Sequence, residues 1–459
     1  MARSIGRRAI VVGAGIGGLA AAKALASSFE TVTVLERDAL PSAPIARSGT
    51  PQARQIHVLL RGGLDALGEL FPDFETELER AGAVRVRVGS QSLLELPGFD
   101  PFPRRDLGFD YLSMTRPLLE FTARRAVQRQ SNIVLDQHCR VTRFLEAPGK
   151  DAVAGVRYER GNASHELAAD LVVDASSRGA LTLDFLDRVG LPKPEETDIG
   201  IDLRYATATF EIPPGDPPDW RAVLHRPSVD NCRGGLLVPV EKNCWQVNLT
   251  ALHGEPVPES VAEFVAFAKT LRRQTIHDAI AGARPVGPIY RFAFPRSLRR
   301  HFAALERFPD RLLPLGDAIC RFNPAFGQGM SVAAQEAVAL RRLVEARTSN
   351  ADPLSGIARP FFAAVQDFLA APWATAEGDF VYEKTRGLRP NDFKERQSFN
   401  SALLRLAAED AAVHRMMSEV THLARPSSAL HDPEIIDRVT AQSCKTDRQS
   451  PTAFGAAGK

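Results

Sequence analysis

The feature that most constrains this chain is a glycine turn close to its start. Ala9-Ile10-Val11-Val12 is a short apolar run of the kind that forms a strand buried on both faces. It runs directly into Gly13-Ala14-Gly15-Ile16-Gly17-Gly18, in which Gly13, Gly15 and Gly18 match G-x-G-x-x-G. Gly13 permits the sharp turn out of the strand, Gly15 clears room for backbone N–H groups to reach a pyrophosphate, and Gly18 lets the following helix lie close to the sheet. The helix expected over 16–28 aims the positive end of its dipole at the phosphates. A second, β-branched strand, Thr31-Val32-Thr33-Val34-Leu35, ends in Glu36, whose carboxylate can bond ribose hydroxyls. Ile16 and Gly17 inside the turn, and Arg37 beside Glu36, complete the expected binding set. Glycines alone are weak evidence; strand, turn, helix, strand and acid in this order are specific. An acid at this strand end suits an unphosphorylated ribose, so FAD or NAD is expected rather than NADP.

The same segment imitates a signal peptide, because Arg3, Arg7 and Arg8 precede an apolar run. Gly13, Gly15, Gly17, Gly18 and Lys23 interrupt that run, and the strand and acid that follow have no place in a signal. No other stretch approaches the roughly 20 apolar residues of a membrane span. The five cysteines are scattered outside any zinc-type or CxxC spacing, so neither a disulfide framework nor a metal site is expected and a cytoplasmic setting fits. A formal net charge of +2 gives no reason to expect nucleic acid.

A second motif lies in the last third of the chain. Leu312-Leu313-Pro314-Leu315-Gly316-Asp317 reads as an apolar strand ending in Gly-Asp. Asn323-Pro324-Ala325-Phe326-Gly327-Gln328-Gly329-Met330 follows and opens an alanine-rich helix. Together with the N-terminal turn, this resembles the FAD-dependent monooxygenases of the aromatic-hydroxylase superfamily, whose type is para-hydroxybenzoate hydroxylase. The resemblance implies that Asp317 bonds the ribityl chain of FAD. It also implies that Pro324 and the backbone of Gly327, Gln328, Gly329 and Met330 border the pyrimidine end of the flavin. Arg116, opening the segment Arg116-Pro117-Leu118-Leu119, matches the arginine that packs over the cofactor. Asp174-Ala175-Ser176-Ser177 stands where the superfamily carries GADG. This departure leaves the electron donor open: NAD(P)H directly, or a separate flavin reductase.

Gly49-Thr50-Pro51-Gln52, His57, Pro372-Trp373 and Asp432-Pro433 narrow the resemblance to bacterial polyketide and polyether epoxidases of the lasalocid and monensin type. Gln55 departs from it where a histidine is expected. Flavin halogenases carry a tryptophan-rich WxWxIP strand and a lysine in the first domain. Here the comparable strand reads Gly235-Leu236-Leu237-Val238-Pro239 and no lysine falls between Lys23 and Lys150, so halogenation is disfavoured. The implied chemistry is insertion of one oxygen atom of O2, through a flavin hydroperoxide, into a lipophilic small molecule of bacterial secondary metabolism by epoxidation or hydroxylation. The cofactor carries that chemistry, so no catalytic side chain is required; His57 is the one candidate, and a packing or hydrogen-bonding role suits it better. With 25 Phe against 5 Tyr, an apolar pocket is expected. The alternatives are an FAD reductase or dehydrogenase of the geranylgeranyl-reductase type, which shares the fold, and a non-catalytic flavin sensor.

The fold expected is α/β: a split Rossmann-type FAD-binding domain (1–180 and 291–350) around a mostly antiparallel β-sheet substrate domain (181–290). A helical C-terminal region (351–441) and a disordered tail (442–459) complete it.

Overall fold

The computed structural model describes residues 4–149, 151–216 and 218–449. Its base is a five-stranded parallel sheet ordered Leu312–Pro314, Leu171–Asp174, Gly6–Val12, Phe29–Leu35, Ile133–Asp136. Val12 is level with Leu35 on one side and Asp174 on the other, and Asp174 with Pro314. Glu36, the glycine turn and Gly316-Asp317 therefore all leave the sheet at one carboxyl edge, where open parallel sheets bind ligands. The first strand is buried from Ala9 to Val12, which is why it reads as an unbroken apolar run.

The helix Ile16–Leu25 packs against the long helix Gly329–Ala346. Small residues set that approach: a Cβ on Gly17 would lie 3.0 Å from Leu315 and 3.1 Å from Ala333. Both ends of the sequence thus meet in one core.

Above the carboxyl edge lies a sheet ordered Cys320–Arg321, Pro285–Arg300, Glu196–Glu211, Cys244–Ala251, Arg233–Val240, Ala222–His225, Ser92–Glu95. Every pair in it is antiparallel except the last. On its outer face Ala206, Ala208, Phe210, Val247 and Leu249 pack against the helices Val261–Ala268 and Thr275–Ile280. Its inner face looks toward the loops 54–58 and 323–327. The architecture is the mixed α/β arrangement expected: parallel Rossmann sheet, antiparallel sheet, then helices.

Several element boundaries have local causes. The helix Arg61–Leu70 begins just after Val58–Leu59, a strand paired with Asp110–Ser113. Within the expected helical C-terminal region, Phe393–Glu409 and Ala411–Thr421 are separate helices. Asp410 is extended between them, and its carboxylate accepts from the Ala412 and Val413 N–H groups, an N-cap that starts a new helix. The tail expected to be disordered over 442–459 is helical to residue 449, as the end of the helix Pro433–Gln449, and from residue 450 it lies outside the described residues.

Candidate functional site

The glycine turn behaves as its spacing requires. Gly13 has φ +100°, and a Cβ there would sit 2.8 Å from the Ala175 carbonyl oxygen. A Cβ on Gly18 would lie 1.9 Å from the Gly13 carbonyl oxygen, so only glycine closes this turn. Gly15 is different. A Cβ there would meet nothing nearer than the Arg116 guanidinium at 3.9 Å, so open space adjoins the turn on that side.

Arg116 opens the helix Arg116–Gln128, which Thr115 caps by accepting from the Leu118 N–H. The guanidinium reaches Met330 Sδ at 2.7 Å and Glu120 at 3.4 Å. Burial pulls its pKa down, against the pull of Glu120. Asp317 faces the same space. A Cβ on Gly329 would lie 3.7 Å from its Oδ1, and its carboxylate accepts no hydrogen bond from any described residue. Burial raises its pKa, while Arg321 and Arg116 hold it down. Gly316, at φ +68°, donates its N–H to Glu336 Oε2 at 2.6 Å. Burial pushes Glu336 up to about 8, with the Gly316 N–H opposing, so the group beneath Asp317 is neutral at pH 7. Gln328 is buried with Oε1 unpartnered, and Gly327 turns with φ +68° against Val58.

His57 lies within the electrostatic reach of Arg116. Its Nδ1 stands 2.9 Å from the Gln55 carbonyl, which can only accept, so the ring proton sits on Nδ1 and Nε2 keeps its lone pair. Burial and then Arg116 push its pKa down to about 3. The ring is a neutral hydrogen-bond acceptor and too weak a base to take protons at neutral pH. Cys320 is buried, and burial raises its thiol well above the ordinary range, in line with a packing role.

The expected set thus gathers around one cleft, with two qualifications. Glu36 is already engaged: Oε2 accepts from the Ala14 N–H at 2.8 Å and pairs with Arg47 at 2.9 Å, and Oε1 accepts from the Asp38 N–H at 3.0 Å. Arg37 is exposed and donates to the Gly49 carbonyl, away from the turn. The altered segment after the fourth strand also has a structural explanation. Asp174 is fully buried; it accepts from Ser176 Oγ at 2.5 Å and Thr182 Oγ1 at 2.6 Å, tying the turn to the start of the helix Ala180–Arg188.

Sequence reasoning missed Arg47 and Glu120. Arg47 is buried and bridges Glu36, Asp38 and Glu120, the last at 2.6 Å, beside a crevice lined also by Thr50, Pro117 and Arg124. No motif marks it; only the fold brings a loop arginine onto the acid of the second strand. The inner face of the upper sheet is mixed: Thr207, Gln246 and Asn248 stand beside Tyr205, Leu236 and Val238, whereas Phe210, Phe264 and Phe267 fill the core behind it. Aromatic composition reported the cores, not the pocket.

These features define a Rossmann-type α/β protein in which a second antiparallel sheet closes over the dinucleotide edge. Residues 11–58 match the family of NAD(P)-binding Rossmann-like domains. The chain belongs to the family of Protein Rv3254 of Mycobacterium tuberculosis (strain ATCC 25618 / H37Rv), to which it is 33% identical over 356 residues, 74% of this chain and 73% of that protein. Among solved structures, it resembles the flavin-dependent brominase Bmp2 (TM-score 0.64, 14% identity, 96% of this chain and 98% of that one). It also resembles p-nitrophenol 4-monooxygenase PnpA from Pseudomonas putida DLL-E4 (TM-score 0.62, 16% identity, 92% and 99%). The probable FAD-dependent monooxygenase pqsL from Pseudomonas aeruginosa is similar as well (TM-score 0.60, 17% identity, 81% and 95%). At these identities the likeness is one of fold. Among the described residues no helix is long and apolar enough to cross a membrane, and no cluster of ligands could hold a metal ion.

Proposed function

We propose that the chain is an FAD-dependent monooxygenase acting on a small molecule. The observation that carries this reading is Asp317: a half-buried carboxylate that accepts no hydrogen bond from any described residue, set between two glycine turns and facing Arg116 across the gap at Gly15. A carboxylate held this way beside an arginine and an open glycine turn suits a ligand that donates to it. The residues fit FAD. Gly15, Ile16, Gly17 and Gly18, with Arg116, would hold the pyrophosphate on the helix N-terminus. Asp317 would accept from the ribityl chain, and Glu36, backed by Arg47, would close the adenosine end with Arg37 at its rim. Pro324, Gly327, Gln328, Gly329 and Met330 would border the flavin.

When bound and reduced, FAD would supply the electrons that activate O2, one atom of which goes to the substrate while the other leaves as water. The chain's own work is binding, orientation and exclusion of water. Neutral Glu336 fixes the Gly316 turn without placing a second negative charge beside Asp317. His57 offers a lone pair and no proton, and the sheet 196–251 covers the cleft. Epoxidation within bacterial secondary metabolism is the finer reading; it rests on the polyether-epoxidase resemblance. A separate flavin reductase would supply electrons where NAD(P)H reacts slowly.

The test is to turn over the FAD-loaded enzyme under 18O2, with NAD(P)H and a flavin reductase, on a panel of unsaturated small molecules. One 18O atom per product molecule supports the monooxygenase. A product that gains two hydrogens and no 18O establishes the reductase alternative instead.

A further inference from the structure

A single buried asparagine holds the turn that would border the flavin. Asn323 Oδ1 accepts from the Ala325 N–H at 3.0 Å, and the Asn323 carbonyl accepts from the Phe326 N–H at 3.2 Å, which closes the short turn Pro324–Phe326. A backbone N–H can only donate, so the amide oxygen must face Ala325 and the amide nitrogen must face the other way. There Nδ2 donates to Asp379 Oδ2 at 2.9 Å. Asn323 is 2% exposed and Asp379 6%, so this bond lies out of water. Gly327, at φ +68°, follows the turn, and the helix Gly329–Ala346 begins two residues later. Asn323 therefore ties the approach to that helix to a carboxylate from a separate segment of the chain.

Asp379 is itself anchored on both sides. It lies in the turn Gly378–Val381, directly after the helix Ala358–Glu377, and its carbonyl accepts from Thr385 Oγ1 at 2.7 Å and from the Tyr382 N–H at 3.1 Å. Arg386 and Gly387 then pair with Gly200 and Ile199 of the upper sheet. Four groups face its carboxylate: Asn323 from the turn, Arg226 just past the strand Ala222–His225, Tyr205 from the strand Glu196–Glu211, and Tyr382 from its own segment. Burial raises its pKa to about 6, with the Asn323 bond and then Arg226 opposing. Above that pH the bond to Asn323 is charge-assisted and roughly twice as strong as a neutral one; below it, a neutral carboxyl accepts more weakly.

We infer that Asp379 is a positioning residue for the cofactor: its hydrogen bond to Asn323 sets the turn Pro324–Phe326 and Gly327 against the flavin, and this tie loosens when the carboxylate takes up a proton. The inference rests on the FAD reading of that turn, and it adds a control exerted from the C-terminal region by a residue that acts through another. Its sign follows from the bond. The ionised carboxylate holds the turn, so FAD is bound more tightly above pH 6 than below it. Folding stability moves the other way, because an acid whose pKa is raised by burial loses its contribution as the pH rises toward the folded value. The two effects are therefore separable.

The experiment is a fluorescence titration with FAD from about pH 5 to about pH 7.5, with uptake of FAD by the wild type at the upper pH established first. D379N keeps an amide oxygen to accept from Asn323 and never ionises. At the upper pH it is expected to bind FAD within about threefold of the wild type, whereas D379A and N323A each bind at least about fivefold more weakly. The double variant is no weaker than either single one, because both act through one bond. On acidification the wild type loses at least about threefold more affinity than D379N. Asp317 and Glu336 titrate alike in every variant and cancel in that comparison. N323A breaks the tie from the other side and flattens the same acid step, so the test stands even where a variant at 379 does not fold. An acid step in D379N or N323A as large as in the wild type, an affinity that rises on acidification, or additive losses in the double variant overturns the inference. A wild type that takes up no FAD at any pH is a different failure, that of the cofactor reading.

Discussion

Replacing Glu336 by Gln should make the protein more stable as the pH rises, relative to the wild type. Glu336 is buried beneath the Gly316-Asp317 turn, with Oε2 accepting from the Gly316 N–H and Oε1 unpartnered. Burial raises its pKa from 4.5 to about 8. The folded state therefore keeps a proton that the unfolded chain gives up. For such a raised acid, the full contribution to stability is present below the unfolded value and is lost as pH rises toward the folded one. Each unit of separation is worth about 1.4 kcal/mol, so the window from pH 4.5 to 8 costs the wild type about 3–5 kcal/mol. Glutamine has the same shape, keeps an acceptor for the Gly316 N–H and never ionises, so it escapes this loss. Urea midpoints of the two proteins, compared at each pH with FAD held constant, should lie closest at pH 4.5 and diverge up to pH 8. Parallel curves across that range would refute the reasoning, because they would mean that Glu336 ionises as freely in the folded protein as in the unfolded one.

Four further outcomes follow from the same geometry. Gly15→Ala should leave stability within about 1 kcal/mol, since its Cβ meets only open space, yet lower FAD affinity in a fluorescence titration. Gly18→Ala should fail to give folded protein by circular dichroism, since its Cβ would collide with the Gly13 carbonyl. Arg47→Met should cost about 3–5 kcal/mol in urea unfolding, because Glu36 and Glu120 lose their buried partner. Asp174→Ala should cost about 2–4 kcal/mol by the same assay, because Ser176 and Thr182 lose a shared buried acceptor.

What could be read from the sequence was what is local. The strand, glycine turn, helix and acid of residues 9–36 occupy consecutive positions, and each residue type is demanded by backbone geometry at its own place. Gly316-Asp317 and the turn at Gly327 were legible for the same reason. Arg47 was not, because its meaning depends on Glu36, Asp38 and Glu120 arriving from separate segments. Asp174 could be recognised as a departure, but not as the acceptor that binds Ser176 to Thr182. The alternation of Trp245, Val247 and Leu249 with Gln246 and Asn248 was present in the sequence, and period two separated the faces. Which face closes the cleft is decided by the helices Val261–Ala268 and Thr275–Ile280 covering the other one. That is tertiary information.

The most direct measurement is the cofactor content of the purified protein. A single glycine turn and an aspartate from opposite ends of the sequence, joined by Arg116, should bind one FAD per chain without a covalent bond. Denaturation should release it intact, as read by its absorbance and by mass spectrometry. Asp317→Ala should then weaken FAD binding by about 1–3 kcal/mol, roughly 5- to 150-fold in Kd. A colourless protein that takes up no FAD on titration, or an Asp317→Ala variant that binds FAD as tightly as the wild type, would contradict the account.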